Sequence, residues 1–363
     1  MNKARIIALY LPQFHPTREN DLWWGKGFTE WTNVAQARPL FRGHYQPHIP
    51  ADLGFYDLRL AETRTAQAEL AKTNGVEGFC YWHYWFGNGK RLLERPFDEV
   101  LSSGQPDFPF CLSWANHSWQ RKLWNYDGKG DVMLMEQSYP GENDIVQHFY
   151  YVLKAFKDPR YITVDGKPLF GVFAPLDHPD IAEFIAIWRR LAAENGLKGI
   201  YFVGHGIIEN RDEILSKGFD AFNDNCTLEI LRKINRFRRL FLKIRARCFK
   251  HPIVLPYSSA VKYWSKEIHR AINTIPTITP NWDHTPRSHN KGVVLQGSTP
   301  KAFKKHVKEV IENVSHKPEE HKLIFLKSWN EWGEGNHIEP DLKYGSQYLD
   351  VIRQLIVDKE CQD

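Results

Sequence analysis

The sequence has few cysteines and no long apolar run. Its five cysteines are scattered along 363 residues, without the Cys-x-x-Cys spacing of a zinc or redox site, so free thiols in a reducing compartment are expected. The apolar run Ile6–Leu11 ends at Pro12, which is shorter than the roughly 7–15 residues of a secretory signal. No run reaches the roughly 18 residues of a membrane span. These absences predict a cytoplasmic protein.

Signatures of several enzyme classes are also missing. The chain has no Asp-x-Asp pair of the metal–nucleotide kind, and its Gly-x-Gly pairs lack the third glycine of a dinucleotide-binding loop. It has no His-x-His pair for a barrel metal centre and no Gly-x-Ser-x-Gly nucleophile turn. We therefore expect neither a cofactor nor a metal ion.

Acidic residues are absent from one stretch, residues 231–250, which holds nine Lys and Arg. The rest of the chain carries 39 basic and 43 acidic residues, a balance that does not predict nucleic-acid binding. The segment 229–268 is predicted as a basic amphipathic insertion, either a helix packing on the body or, through 230–250, an interfacial helix on anionic lipid at the inner membrane. The predicted stripe is Ile230, Ile234, Phe237, Phe241, Ile244 and Cys248.

Eight short apolar runs recur along the chain, with helical patterns between several of them. Such runs are typical of parallel strands buried on both faces. Eight strand–helix units predict an α/β fold, a single (β/α)8 TIM barrel over residues 1–363 with elaborated βα loops and the basic helical segment after strand 6. A doubly wound open sheet is the alternative. The runs are Ile6–Tyr10, Glu77–Trp82, Phe110–Trp114, Leu169–Ala174, Gly199–Val203, Ala221–Asn225, Pro276–Pro280 and Leu323–Ser328.

Polar and aromatic residues follow these runs, where a barrel places its chemistry. For each histidine among them a structural hydrogen-bonding role is the alternative to substrate binding, as it is for Glu30. Asp283 and Arg287 either grip sugar hydroxyls or pair with each other at i, i+4. The predicted substrate-binding residues are Tyr10, His15, Glu30, Trp31, Trp82, His83, Trp114, Asn116, His117, Asp283, Arg287, Trp329, Asn330 and Trp332.

The strongest local signal is residues 328–335, Ser-Trp-Asn-Glu-Trp-Gly-Glu-Gly. Its two carboxylates, Glu331 and Glu334, lie three residues apart beside two tryptophans. Paired carboxylates near aromatic platforms suit glycosidic-bond chemistry, in which one protonates the leaving oxygen and the other activates or stabilises the sugar. Solvated loop glutamates are the alternative. As a proton donor, Glu334 needs a raised pKa, most simply through desolvation by the tryptophans.

Four motifs carry a family resemblance: residues 10–15, 28–34, 280–287 and 328–335. They resemble the WbsX-like proteins, bacterial proteins often labelled glycosyltransferases of surface-polysaccharide clusters. These proteins are similar to glycoside hydrolase family 99, the endo-α-mannosidases. The resemblance runs from about residue 4 to 355. It implies a (β/α)8 barrel that cleaves α-mannosidic bonds with retention.

The resemblance also implies roles for the two glutamates. The hydrolases carry Asn-Glu-Trp-His-Glu-Gly, whose first Glu deprotonates the sugar 2-hydroxyl to give a 1,2-anhydro intermediate and whose second is the acid/base. Carried over, Glu331 would assist the 2-hydroxyl and Glu334 would be the acid/base. The chain departs from this motif at Gly333, where the hydrolases have His.

Three functions are consistent with these features. The first is a carbohydrate-active enzyme acting on mannoside-like α-glycosidic bonds of a bacterial surface polysaccharide or its lipid-linked precursor, with an oligo- or polysaccharide as its partner. The second is a glycosyltransferase of O-antigen or capsule biosynthesis that uses an activated sugar donor. The third, a non-catalytic carbohydrate-binding barrel, is disfavoured by the retention of both Glu331 and Glu334.

Overall fold

The computed structural model describes residues 4–121 and 132–358. All eight predicted runs form strands of one parallel barrel sheet. These strands are buried on both faces, as expected from sequences that are almost entirely apolar. The barrel strands are β1 (Arg5–Tyr10), β2 (Gly78–His83), β3 (Phe110–Trp114), β4 (Lys167–Val172), β5 (Tyr201–Gly206), β6 (Ala221–Asp224), β7 (Thr274–Ile275 and Thr277–Ile278) and β8 (Leu323–Leu326).

The sheet closes on itself through β7. Thr274–Ile275 pairs with β6, and Thr277–Ile278 pairs with β8. Only Pro276 separates these two segments; it has no N–H to donate, but its carbonyl accepts from Phe325 N at 3.0 Å. The two ends of the sheet are thus one stretch of chain, and the TIM barrel prediction is confirmed over the open sheet.

The helices surround the barrel and extend its loops. Thr299 caps α12 as predicted, accepting from Ala302 N at 3.2 Å, and Pro300 opens the helix. The helices are α1 (Arg18–Trp24), α2 (Glu30–Gln36), α3 (Ala61–Thr73), α4 (Arg95–Ser103), α5 (Glu142–Phe156), α6 (Ile181–Glu194), α7 (Arg211–Ser216), α8 (Ile230–Lys233), α9 (Arg236–Phe249), α10 (Tyr257–Trp264), α11 (Thr285–Ser288), α12 (Pro300–Val314) and α13 (Gln347–Ile356).

Short strands outside the barrel brace its loops. Trp119–Arg121 pairs antiparallel with Val132–Met135, and Thr163–Val164 pairs with the start of β4. Ile253–Pro256 lies parallel to Val293–Gln296. The first pair follows β3 and the last flanks the loop after β7, so both extend the carboxyl end of the barrel.

A polar chain crosses the barrel interior beneath this end. Ser113 Oγ lies 2.9 Å from His205 Nε2, and His205 Nδ1 lies 2.7 Å from Asn223 Oδ1. Asn223 Nδ2 donates to Thr277 Oγ1 at 2.9 Å. Burial lowers the pKa of His205 to about 4, so this imidazole is neutral at physiological pH. The barrel's polar interior is therefore hydrogen-bonded within itself.

The basic segment differs from the predicted continuous stripe. Helix α8 ends at Lys233, and Asn235 caps α9 by accepting from Arg238 N at 2.8 Å. Phe237 is 84% exposed and Phe241 63%, so the interpretation that the stripe packs on the body is wrong for α9. Among the described residues, no helix is both long and apolar enough to span a bilayer.

Candidate active site

The loop after β8 is held by side chains that replace regular backbone pairing. Ser328 Oγ accepts from Glu331 N at 2.9 Å and donates to Asn336 Oδ1 at 2.9 Å. Asn330 clamps the loop to the one after β1, since its side-chain amide accepts from Leu11 N at 2.7 Å and donates to Leu11 O at 3.0 Å. Asn330, predicted to bind substrate, is thus fully buried and positions the loop.

Glu334 is the ionised member of the carboxylate pair. Its Oε1 accepts from Arg287 Nη1 at 2.7 Å, and its Oε2 from Asn336 Nδ2 at 3.4 Å. His284 Nε2 lies 3.7 Å from the same carboxylate. Although burial favours the neutral acid, the Arg287 guanidinium holds the pKa of Glu334 below its ordinary value.

Glu331 has the opposite bias. Glu331 is 8% exposed. Its burial, and to a smaller extent the nearby Glu334 carboxylate, raise the pKa of Glu331 to about 7. The expectation that Glu334 carries the raised pKa is therefore wrong, because the cation lies against Glu334. The two carboxyls therefore differ in proton affinity, with Glu331 the more readily protonated and Glu334 the more readily ionised.

Glu30 and Arg287 complete the charged cluster. Glu30, the first residue of α2, is 3% exposed and accepts from Arg287 Nε at 3.0 Å and from Asn33 Nδ2 at 3.3 Å. Arg287 on α11 thus bridges Glu30 and Glu334. The structure brings together four predicted residues from three loops, namely Glu30, Arg287, Glu331 and Glu334.

Asp283 does not pair with Arg287, although the i, i+4 spacing allowed it. Its Oδ2 accepts from His44 Nε2 at 2.6 Å and from Gln46 Nε2 at 2.7 Å. Its Oδ1 accepts from the hydroxyl of Thr285 at 2.6 Å. Asp283 is buried and ties the loop after β7 to the one after β1.

The tryptophans beside the carboxylates support the loop from below. Trp329 is fully buried, with its ring centroid 5.0 Å from that of Phe79. Trp332 donates from Nε1 to Glu339 Oε2 at 2.7 Å and stacks on His337 at 3.5 Å. Both rings face the protein interior, so neither forms an exposed sugar platform.

Trp31 and Tyr10 also have protein partners. Trp31 donates from Nε1 to Tyr56 O at 2.7 Å. Tyr10 donates its hydroxyl to Gln67 Oε1 at 2.7 Å, on the helix-facing side of β1. His15 is buried in the loop after β1, and burial lowers its pKa to about 4. These three residues build the loops around the cluster.

Strand alternation separates the residues that follow β2 and β3. His83 Nε2 lies 2.8 Å from His148 Nε2 on α5, so His83 is on the outer face of the strand. Trp114 also faces α5, with its ring 5.0 Å from His148. Asn116 accepts from Ala174 N at 2.8 Å and joins the loops after β3 and β4. These residues lie in the packing between the strands and the outer helices.

An aromatic cluster does face the barrel mouth. The Trp82 ring lies 5.5 Å from Phe173, which lies 5.1 Å from His117. Phe173 is 36% exposed, and His117 is exposed as well. Sequence reasoning missed Phe173, although it directly follows β4 and the rule of strand ends would have found it. We name Trp82, Phe173 and His117 the mouth aromatics.

Other site residues were missed for different reasons. Tyr84 is buried, and burial together with the Glu331 carboxylate raises the pKa of its phenol. Lys327, just after β8, lowers the pKa of both glutamates. His284 lies in the motif of residues 280–287, but no role was predicted for it. Only their position relative to the folded loop after β8 reveals these contributions.

A family model described as Glycosyltransferase WbsX matches residues 6–352. The chain belongs to the WbsX glycosyltransferase family. The match confirms the resemblance to the WbsX-like proteins. The family match leaves hydrolysis and transfer open.

A curated relative matches nearly the whole chain. The chain is 34% identical over 357 residues to the uncharacterized protein WxcX of Xanthomonas campestris pv. campestris, covering 97% of this chain and 50% of that protein. It therefore spans about half the length of the curated relatives it matches.

Solved structures show the same fold. An endo-α-mannosidase of glycoside hydrolase family 99 from Bacteroides thetaiotaomicron, in complex with BIS-TRIS-propane, superposes with a TM-score of 0.59 at 15% identity, covering 99% of this chain and 97% of that chain. A protein described as glycoside hydrolase-like superposes with a TM-score of 0.61 at 17% identity, covering 98% and 94%. At these identities the likeness establishes the barrel fold.

One group of candidate metal ligands occurs in the described part of this WbsX-family chain: His48, His337 and Asp341. His48 Nδ1 lies 3.0 Å from His337 Nε2, so the two rings hydrogen-bond to each other. Asp341 Oδ1 accepts from the backbone N–H of Lys343 and Tyr344. These partners account for the cluster as hydrogen-bonded loop structure beside the loop after β8.

Proposed function

We propose that this chain is a retaining carbohydrate-active enzyme acting on mannoside-like α-glycosidic bonds of a bacterial surface polysaccharide or its lipid-linked precursor. The catalytic unit is the single domain 1–363, with 229–268 as an insertion. The observation that carries the proposal is the pair Glu331 and Glu334, which favour opposite protonation states at the carboxyl end of the barrel. Glycosidic cleavage needs one carboxyl as an acid and one as a base or nucleophile.

The proposed chemistry runs through a 1,2-anhydro sugar. One carboxylate removes the 2-hydroxyl proton, O2 bonds to C1, and the other carboxyl protonates the leaving oxygen as the C1–O bond breaks. Water then attacks C1 and gives a proton to the carboxylate that protonated the leaving oxygen, while the C1–O2 bond breaks and O2 takes back its proton from the other carboxyl. A neutral carboxyl and an ionised carboxylate in one cluster supply both groups without a metal ion.

The mouth aromatics are proposed to hold the sugar. Phe173, which is 36% exposed, offers a ring face with the buried Trp82 packed against it, and His117 offers ring nitrogens within the same cluster. Sugar rings stack their C–H faces on aromatic rings, while their hydroxyls need polar partners. This cluster takes the place of Trp329 and Trp332, the platforms expected from the sequence.

Substitution of each glutamate tests the assignment. Glu331→Gln and Glu334→Gln each retain the fold by circular dichroism and lose turnover of a synthetic aryl α-mannoside, because Gln can neither give nor take the proton. The matched control is Glu62→Gln, an exposed position on α3. Turnover like that of the wild type in either active-site variant contradicts the assignment.

The family description favours a second candidate, glycosyl transfer from an activated sugar donor. The same carboxylates would then serve an acceptor hydroxyl in place of water. Parallel incubations with a nucleotide sugar plus an acceptor glycan, and with the aryl α-mannoside, separate the two. Product only from the nucleotide sugar replaces the hydrolytic proposal with transfer.

We further propose that α9 contacts an anionic bilayer and places the site near a lipid-linked glycan. Its exposed Phe237 and Phe241 accompany the nine basic residues and no acid of stretch 231–250. Apolar rings bury in the interface while cations meet anionic headgroups. Co-sedimentation with anionic vesicles, and none with neutral vesicles, is the expected result. Equal recovery with both vesicle types contradicts it.

A further inference from the structure

Gly333 occupies a crowded place in the loop after β8. A Cβ added there would overlap Glu30 Oε2 and lie 2.9 Å from Arg287 Nε. Its backbone is not in the left-handed region that favours glycine. Glycine is therefore required here for steric reasons, because the Arg287–Glu30 pair occupies the volume that a side chain at 333 would need.

We propose that Arg287, anchored by Glu30 in the space that Gly333 leaves open, is a positioning residue that keeps Glu334 ionised and assigns the proton of the pair to Glu331. This inference rests on the proposed function of the two glutamates. It goes beyond that function because it fixes which carboxyl carries the proton in the free enzyme.

The geometry of Arg287 supports this role. Its Nε donates to Glu30 Oε2 at 3.0 Å while Nη1 donates to Glu334 Oε1 at 2.7 Å, so one planar guanidinium spans two carboxylates from different loops. A lysine ammonium supplies similar charge without this two-armed planar geometry. Glu30 is nearly inaccessible, and Arg287 is the ion-pair partner recorded for it among residues 4–121 and 132–358.

The surrounding charges make the pair asymmetric. Arg287 is the cation in hydrogen-bond contact with Glu334, whereas no ion pair is recorded for Glu331 among the residues that the structure describes. His284 is 3.7 Å from Glu334, but burial lowers its pKa, so it contributes little charge near pH 7. Lys327 acts on both glutamates and therefore does not separate them.

This arrangement also gives the departure at position 333 a physical meaning. The hydrolase motif has a His side chain where this chain has Gly333. An imidazole at 333 and the Arg287–Glu30 pair would compete for one volume. The bridge is thus available here because the side chain is absent, and it acts on the charge of Glu334 from outside the motif.

The carboxyl ¹³C resonance of Glu334 tests the inference without any substrate. In a Glu331→Gln background that isolates this group, the Glu334 carboxyl is expected to titrate below pH 4.5, the ordinary value for a glutamate. Adding Arg287→Gln should raise the midpoint by at least about one unit, a tenfold change in acid dissociation. Arg287→Lys should recover at least half of that shift by restoring the charge. Arg189→Gln, which breaks an ion pair with Asp220 on the barrel exterior, is the control and should leave the midpoint unchanged.

Two results overturn the inference: a Glu334 midpoint above about 5.5 with Arg287 in place, or a midpoint unmoved by Arg287→Gln. If Arg287→Gln does not fold, the first measurement still decides. The resonance is identified by its loss in Glu334→Gln. Since the titration needs no turnover, a failed mannosidase assay with a low, Arg287-dependent midpoint rejects the proposed function and retains the inference.

Discussion

The loop after β8 and helix α9 use burial in opposite ways. In the loop, Trp329, Asn330 and Trp332 are at most 1% exposed, and the polar groups of Asn330 and Trp332 bond to protein partners. In α9, Phe237 and Phe241 are exposed beside arginines. One region removes charge from water, and the other leaves apolar rings in it.

This difference decides what a charge can do in each place. Within the loop, low polarity amplifies each interaction, which is why we propose that a single guanidinium sets the protonation of two neighbouring glutamates. On α9 the described arginines, such as Arg238 and Arg239, are exposed, and we propose that they act together as a patch that attracts anionic surfaces. The predicted changes in unfolding free energy should therefore be large in the loop and small on α9.

Glu339 provides the largest expected effect. It is 2% exposed and accepts from Tyr56, Gln67 and Trp332, yet burial raises its pKa to about 7 from 4.5. Because the folded-state pKa is the higher one, its stabilisation is complete below pH 4.5 and is lost as pH rises through 7. At about 1.4 kcal/mol per unit, the loss is on the order of 3 kcal/mol.

Glu339→Gln isolates this contribution. The unfolding free energy of the wild type minus that of the variant should fall by that amount between pH 4.5 and 7.5 in urea titrations. The difference curve removes the opposite effect of the buried histidines, whose lowered pKa values weaken the fold as pH falls. Glu62→Gln should give a flat curve, and a flat curve for Glu339→Gln would contradict the burial effect.

Gly333→Ala is expected to have the next largest effect. The new methyl must displace the Glu30–Arg287 pair, and overpacking of this kind costs about 1–3 kcal/mol. Turnover should also fall, because Glu334 loses its aligned cation. Gly89→Ala is the control, since that glycine has φ +70° but open space around it. Its cost should be confined to backbone strain of about 1 kcal/mol, with turnover unchanged.

The sequence predicted the features that depend on neighbouring residues better than those that depend on contacts between distant parts of the chain. The barrel strands and the Thr299 cap are local patterns of apolar residues and capping side chains, and both are confirmed. Glu334 was predicted to have a raised pKa, but its pKa is lowered, because Arg287 reaches it from a distant loop. Such a contact between distant loops cannot be predicted from a local sequence pattern.

The same limit applies to side-chain direction and helix continuity. His83 and Trp82 are adjacent in sequence, but strand alternation points one to the outer helices and the other to the mouth. The apolar spacing over 230–248 suggested one stripe, yet Asn235 starts a new helix and separates buried Ile230 from exposed Phe237. Periodicity alone does not tell which partner a stripe meets.

Helix α9 should show the smallest effect on stability, and its variant tests the other half of the comparison. Replacing Phe237, Phe241 and Ile244 together by Ser removes rings and a branched chain that are 84%, 63% and 49% exposed, so the unfolding free energy should change by no more than about 0.5 kcal/mol. Binding to anionic vesicles should nevertheless fall at least about tenfold, because insertion of each ring contributes on the order of 1–2 kcal/mol. Leu22→Ser, at another apolar residue that is 75% exposed, is the control and should leave vesicle binding intact. A loss of several kcal/mol in the triple variant would mean that these side chains are buried in solution, and α9 would then join the loop after β8 as a packed part of the barrel.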